Sequence, residues 1–309
     1  MAIALALAAG AACAQGVTRI IVPFAAGGVQ DILARAISQE LGTAIGGTVI
    51  VENRTGAGGT IGTAFVAKAP PDGQTLVLAA ASHTINGSLH AKLPYDPIRD
   101  FCGVAHIGTV EYVLMINPRI PARTVREFVD YAKANPGKLN YSTAGVGTAT
   151  HLSMAYFASL AGIDMVHVPY KGTNEAVNEV LAGRADAVIA ANIGALPYLL
   201  DARIRMLAVT SAKRSKFLPD LPTIADSGVP GYEFDSWLGL LGPAGIPRAT
   251  VDRLNLAVGS LLREPAILER LAKQGIEPQA LTPEGFDALL RADFDRMASV
   301  VKASGARVE

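Results

Sequence analysis

The stretch Arg19-Ile-Ile-Val-Pro23-Phe-Ala-Ala-Gly-Gly28, running on into Gln30 to Leu41, decides the architecture of this 309-residue chain. Its opening is a β-branched run that stops at a proline, and Gly27-Gly28 supplies a turn. Ile32, Leu33, Ala36, Ile37 and Leu41 then recur at helical spacing. Thr48 to Val51 reads as a second strand, Thr60 to Ala69 as a helix and Thr75 to Ala80 as a third strand. A βαβαβ unit of this kind implies parallel strands joined by right-handed crossovers.

The pattern recurs. Thr124 and Glu127 form a capping-box pair that opens a helix to about Ala134. Leu139 to Ser142 is a strand, Ala144 to Gly147 a glycine turn, and Thr148 to Leu160 a helix. Met165 to Val168, Thr173 to Leu181 and Ala187 to Ala190 read as strand, helix and strand. Two such units predict two α/β lobes, each with its own sheet. A strand at Met206 to Val209 precedes the Pro/Gly-rich stretch Leu218 to Gly231 and a strand-like run, Trp237 to Leu241. The remainder is mostly helix, including a long one from the Thr282-Pro283-Glu284 start to about Ala303. These last helices are expected to return to the first lobe, giving 15–112 and 228–309 to that lobe and 113–227 to the second.

Composition narrows the function. Half the residues are hydrophobic and 17% are charged, yet beyond the N-terminus no apolar run reaches the roughly 20 residues of a spanning helix. Lysine plus arginine equals aspartate plus glutamate at 27 each, so nothing supplies the basic surface that nucleic-acid binding needs. Met1 to Ala12 is apolar and Ala12-Cys13-Ala14 offers a small-x-small cleavage site, although no basic residues precede it. Residues 1–14 therefore read as a signal peptide, Gln15 as the mature start and the periplasm as the destination. Lipidation of Cys13 is the alternative. Once Cys13 is removed, Cys102 has no disulfide partner.

In both halves a strand end runs through a glycine turn into a helix start: Pro23 to Asp31 in the first, Tyr141 to Thr148 in the second. Open parallel sheets bind ligands outside the carboxyl ends of their strands. Helix N-termini there carry unpaired N–H groups and about half a positive charge. Each loop alone is equally an ordinary α/β turn; facing each other across a cleft, they suit a small anion. Gly56-Ala-Gly58-Gly59-Thr-Ile-Gly62 fails the GxGxxG dinucleotide pattern, and Gly145-Val-Gly147-Thr148 lacks the lysine of a phosphate-binding loop. There is no GxSxG elbow or HExxH pair, so no metal, cofactor or catalytic residue is expected.

Several motifs carry a family resemblance. They include Ile21-Val-Pro-Phe24-Ala-Ala-Gly-Gly28 with Asp31-Ile-Leu-Ala-Arg35, Val51-Glu-Asn-Arg54, Pro71-Asp-Gly73 and Leu93-Pro-Tyr-Asp96. Pro136-Gly-Lys-Leu-Asn-Tyr141, Val166-His-Val-Pro-Tyr-Lys-Gly172, Leu207-Ala-Val-Thr-Ser211 and Pro222-Thr223 continue the match. From about Arg19 to the C-terminus the chain resembles the Bug receptors, extracytoplasmic solute-binding proteins of tripartite tricarboxylate transporters. The resemblance implies a type 2 periplasmic-binding-protein fold, a carboxylate ligand held between the lobes, and delivery to a membrane permease by a monomeric, non-enzymatic receptor. A sensor feeding a membrane partner, or an enzyme acting on a small organic acid, are the alternatives. Carried over by motif, first-lobe ligand contacts fall on Phe24, Ala26, Gly28, Asp31, Ser82 and His83. Second-lobe contacts fall on Ser142, Thr143, Gly147, Thr148, Tyr170, Gly172 and Asn192. The chain departs from the family's usual residues at Thr55, Gln74, Gln30 and Ala191, of which the last two are expected nearer the cleft and bear on ligand choice.

Overall fold

The opening β-branched run forms β1 (Val17–Val22), whose Ile20, Ile21 and Val22 are completely buried. This computed structural model describes residues 16–90 and 92–306; the leader reading and Cys13 lie outside the described residues. A turn at Gly27-Gly28 leads to α1 (Val29–Ile45), which buries Leu33, Ile37 and Leu41 against the sheet. There follow β2 (Thr48–Asn53), α2 (Thr60–Ala67) and β3 (Thr75–Ala80). β1 pairs in parallel with both β2 and β3, as a βαβαβ unit requires.

The second unit is built the same way. α4 (Val125–Ala134) opens on Thr124, whose hydroxyl accepts from the Glu127 N–H while the Glu127 carboxylate accepts from the Arg123 N–H. Then come β5 (Asn140–Thr143), α5 (Ala149–Ala161), β6 (Val166–Pro169), α6 (Thr173–Leu181) and β7 (Ala187–Ala191). β5 runs parallel to β6 and to β7.

The sheets are mixed rather than wholly parallel, and with β4 (Phe101–Ile116) and β9 (Asp235–Pro243) they form one path, β2-β1-β3-β9-β4-β7-β5-β6. The joining strand is β4, sixteen residues long. Its first part runs antiparallel to β9, with Glu111 opposite Asp235. From Tyr112 onward its partners are β7 and β8 (Arg205–Val209), both antiparallel. β4 therefore crosses from one lobe to the other, and the segment between β8 and β9 returns. Thr210 ties the crossings: its hydroxyl accepts from the Tyr112 N–H at 2.9 Å, and its carbonyl accepts from the Phe234 N–H at 2.9 Å.

Three elements lie at strand ends or across the lobes. α3 (Ser82–Leu89) starts directly after β3, and α7 (Asn192–Ala195) directly after β7. The C-terminal region supplies α8 (Arg248–Leu261), α9 (Pro265–Lys273), β10 (Ile276–Pro278), which pairs with β4, and α10 (Pro283–Ser304). α10 packs on α3 and also reaches α5, where Ser159 Oγ donates to the Ala303 carbonyl at 2.6 Å. Among the described residues no helix is long and apolar enough to cross a membrane.

Candidate functional site

A cavity of about 270 Å³ lies between the lobes. Its walls are helix starts: Gly28, Val29 and Gln30 at α1, Ser82 at α3, Thr148, Ala149 and Thr150 at α5, and Gly172, Thr173 and Asn174 at α6. The first-turn amides of a helix have no intrahelical acceptor and carry its positive dipole end. Strand residues close the bottom: Ala80 of β3, Val110 and Tyr112 of β4, Ala191 of β7, and Ser236 and Leu238 of β9.

The loop before α1 is held from behind. Asp31 is 4% exposed, and its carboxylate accepts from the Gly27 N–H at 2.9 Å, from Asn53 Nδ2 at 2.9 Å and from Arg35 Nε at 3.0 Å. Asn53 also donates to the Phe24 carbonyl at 3.0 Å. Burial alone would raise the Asp31 pKa; the bonds from Arg35, Gly27 and Asn53 outweigh it and hold the carboxyl below its ordinary range.

The loop before α5 is tied internally. The Ala144 N–H donates to Thr150 Oγ1 at 2.9 Å, and the Gly145 N–H to Thr143 Oγ1 at 3.2 Å. Thr148 caps α5 and donates its own hydroxyl to the Gly145 carbonyl at 2.7 Å. Beneath the loop, His151 stacks on His167 with centroids 4.2 Å apart, and His167 stacks on Tyr141 at 5.0 Å. Burial lowers both histidines to about 4, and the neighbouring His167 adds to the effect on His151. Two neutral rings can stack where two cations would repel.

Of the residues singled out by sequence, Phe24, Ala26, Gly28, Ser82, Thr148 and Gly172 line the cavity. The others are placed around it. Asp31 and Thr143 support the two loops, as described. Ser142 donates to the Ala176 carbonyl at 2.7 Å, fastening α6 to β5. Tyr170 donates to Glu179 at 3.1 Å. His83 is 3% exposed; its Nε2 contacts the Pro97 carbonyl at 2.7 Å, its ring meets Phe101 edge-on, and burial lowers its pKa to about 4.

Gly147 and Asn192 belong to contacts between the lobes. Asn192 Nδ2 donates to the Gly275 carbonyl at 2.8 Å. A Cβ on Gly275, whose φ is +64°, would fall 2.5 Å from that side-chain amide. On the other rim, Asn86 of α3 donates to the Gly58 carbonyl at 2.9 Å, and a Cβ on Gly147 (φ +80°) would fall 2.5 Å from Asn86 Oδ1. Both asparagine Oδ1 atoms are buried without a hydrogen-bond partner among the described residues. The Asn192–Gly275 bond joins the lobes, and the close approach of Gly147 to Asn86 brings them together on the other rim, while the two unpaired Oδ1 atoms leave part of the cost of closure unmet.

Sequence reasoning did not single out Ala149, Thr150, Thr173, Asn174, Tyr112 or Ser236, all of which line the cavity. The signal for Ala149 and Thr150 was present, because the residues following an N-cap threonine carry the free amides. Gln30 and Ala191, noted as departures, do line it.

The comparisons with known proteins agree with this architecture. The profile described as "Tripartite tricarboxylate transporter family receptor" matches residues 33–306. Protein BugT of Bordetella pertussis (strain Tohama I) is 33% identical over 297 residues, covering 94% of this chain and 90% of that protein. The structure of R. palustris Rpa4515 with adipate is similar at a TM-score of 0.89 and 34% identity, covering 94% of this chain and 98% of that one. MatC from Rhodopseudomonas palustris with bound malate is similar at a TM-score of 0.85 and 31% identity, covering 92% and 98%. Matched along nearly its whole described length, the chain belongs to the receptor family of the tripartite tricarboxylate transporters.

Proposed function

We propose that the protein is a periplasmic receptor that closes over a small carboxylate and hands it to a membrane permease of the tripartite tricarboxylate type. The observation that carries this reading is the convergence of the starts of α1, α3, α5 and α6 on one cavity between the lobes. Their amides form a positive cradle without a buried basic side chain; the lysine on the lining, Lys171, is exposed. The solved relatives with adipate and malate support the same ligand chemistry.

The lobes we read are 15–112 with 228–309, and 113–227. The change of partner along β4 at Tyr112 supports the first boundary, and the Thr210–Phe234 bond draws the return crossing toward β9. We read the receptor as a monomer that binds without turnover, as the family's role in transport supports. Closure is a population shift, stabilised by a ligand that bridges both lobes.

A thermal-shift screen of mono-, di- and tricarboxylates, followed by calorimetry and by chromatography of the recovered ligand, tests this reading. At least one carboxylate is expected to bind saturably, one per chain, and to be recovered unchanged. Failure of every carboxylate alongside binding of a neutral solute would overturn it.

A further inference from the structure

The helix-start and strand residues that line the cavity differ in chemistry. Its walls offer amides at the helix starts, but its floor is Ala80, Val110, Tyr112, Ala191 and Leu238, with the Ser236 hydroxyl among them. That hydroxyl is already engaged, accepting from the Ala81 N–H at 3.0 Å and donating to the Trp237 carbonyl at 3.2 Å. Tyr112 is 7% exposed, lies edge-on to Phe234 at 5.8 Å, and burial raises its pKa, so it meets the cavity as a neutral ring and phenol. No cationic side chain belongs to this floor.

The α6 side is no kinder to a second anion. Glu175 lines the cavity there and caps the turn, accepting from the Lys171 N–H at 3.0 Å. Lys171 and Glu175 are both exposed, and the bond between them is to the Lys171 backbone rather than to its ammonium. A ligand with one carboxylate finds donors for it at the helix starts. A second carboxylate would have to share those same helix-start amides, with Glu175 beside the α6 start, or lie against the apolar strand residues, where an uncompensated charge is costly.

We infer that the ligand of this cavity is a monocarboxylate with a compact apolar body, its charge at the helix starts and its hydrocarbon on the floor. This rests on the carboxylate-receptor reading and narrows it. An aliphatic or aromatic body would fill the space between Phe24, Val110, Tyr112 and Leu238 with gain from burial. A zwitterion is disfavoured where the hydrocarbon lies, because its ammonium would have to leave water among strand residues that carry no carboxylate; Glu175 stands at the exposed α6 start instead.

Calorimetry on the whole chain with matched acids tests this. Hexanoate is set against adipate and norleucine, and benzoate against terephthalate. In at least one set, the acid with a single charge is expected to bind about tenfold or more tighter than its charged counterparts. Ala191→Asp, which puts a charge on the floor, is expected to weaken that acid by about tenfold at unchanged circular dichroism. Equal or tighter binding of a diacid or of norleucine would overturn the inference while leaving the receptor reading intact. If no acid of the wider carboxylate screen binds, both fail together. Should Ala191→Asp not fold, the comparison on the unaltered chain decides alone.

Discussion

Asp31 makes no part of the cavity wall, yet its carboxylate joins the Gly27 amide, Asn53 and Arg35 behind the loop that does. Asp31→Ala would remove the buried acceptor that gathers these three donors, at a cost of about 1–3 kcal/mol, and would loosen the approach to α1. Urea unfolding is expected to show that loss, and ligand affinity to fall with it. The carboxyl's folded pKa lies below the ordinary 3.8, so its contribution is present above that value and is lost as pH falls through the lower folded one. The buried histidines act over a milder range. His83 and His151 sit at about 4 in the fold against 6.5 when free. Above 6.5 both states are neutral; between 6.5 and 4 only the unfolded chain takes up the proton. Each therefore removes up to about 1.4 kcal/mol per pH unit as the solution is acidified across that window. Denaturation midpoints measured from pH 7 to 4 are expected to fall steadily, and a flat profile would contradict the burial of these rings as neutral species. Sequence marked His83, Asp31 and Thr143 as ligand contacts, whereas none of them lines the cavity and their bonds run to the structure around it. Those bonds depend on partners such as Pro97 and Asn53, which no local pattern reveals.

At the scale of elements, the clearly periodic segments were legible: α1, α4, α6 and β3 stand close to where the sequence placed them. β4 was not, although it is the strand that joins the lobes. It is buried on both faces for most of its length, so it lacks a two-residue alternation, and its register with β9 shifts near Gly103 and Gly108. α3 was missed for a different reason. Its buried Thr84 is polar, and it is satisfied by Asp293 of α10 at 2.6 Å, 209 residues away. Trp237 Nε1 shares that carboxylate at 2.8 Å, so one side chain from α10 steadies both α3 and β9 at the cavity. The rim contacts give a test of closure. Gly275→Ala would add a methyl against Asn192 and is expected to lower ligand affinity by about tenfold or more, with scattering showing a more open average shape. Asn192→Ala loses one interlobe bond of about 1 kcal/mol. In the double variant the clash is gone, so the two effects are expected to be less than additive. Strict additivity would show that Gly275 and Asn192 do not meet when ligand binds.

Across the whole molecule, the chain places the starts of four helices from two lobes around one space, and leaves a single mixed sheet to pass between them. The lobes were readable because two βαβαβ units recur in order. The mixed character of the sheet was not, because β9 reaches its position between β3 and β4 only after the second lobe is complete. The proposed function follows from this layout: on that proposal an anion held by backbone dipoles from both lobes favours the closed form, and release requires the lobes to part. The direct measurement is an amide-resolved NMR titration of the labelled protein with the carboxylate that binds it best. The largest shifts are expected at the amides of Val29, Gln30, Ser82, Ala149, Thr150 and Thr173, with smaller ones along β4 near Tyr112. Saturable binding that leaves those amides unmoved and shifts a different surface would contradict the cradle of helix starts.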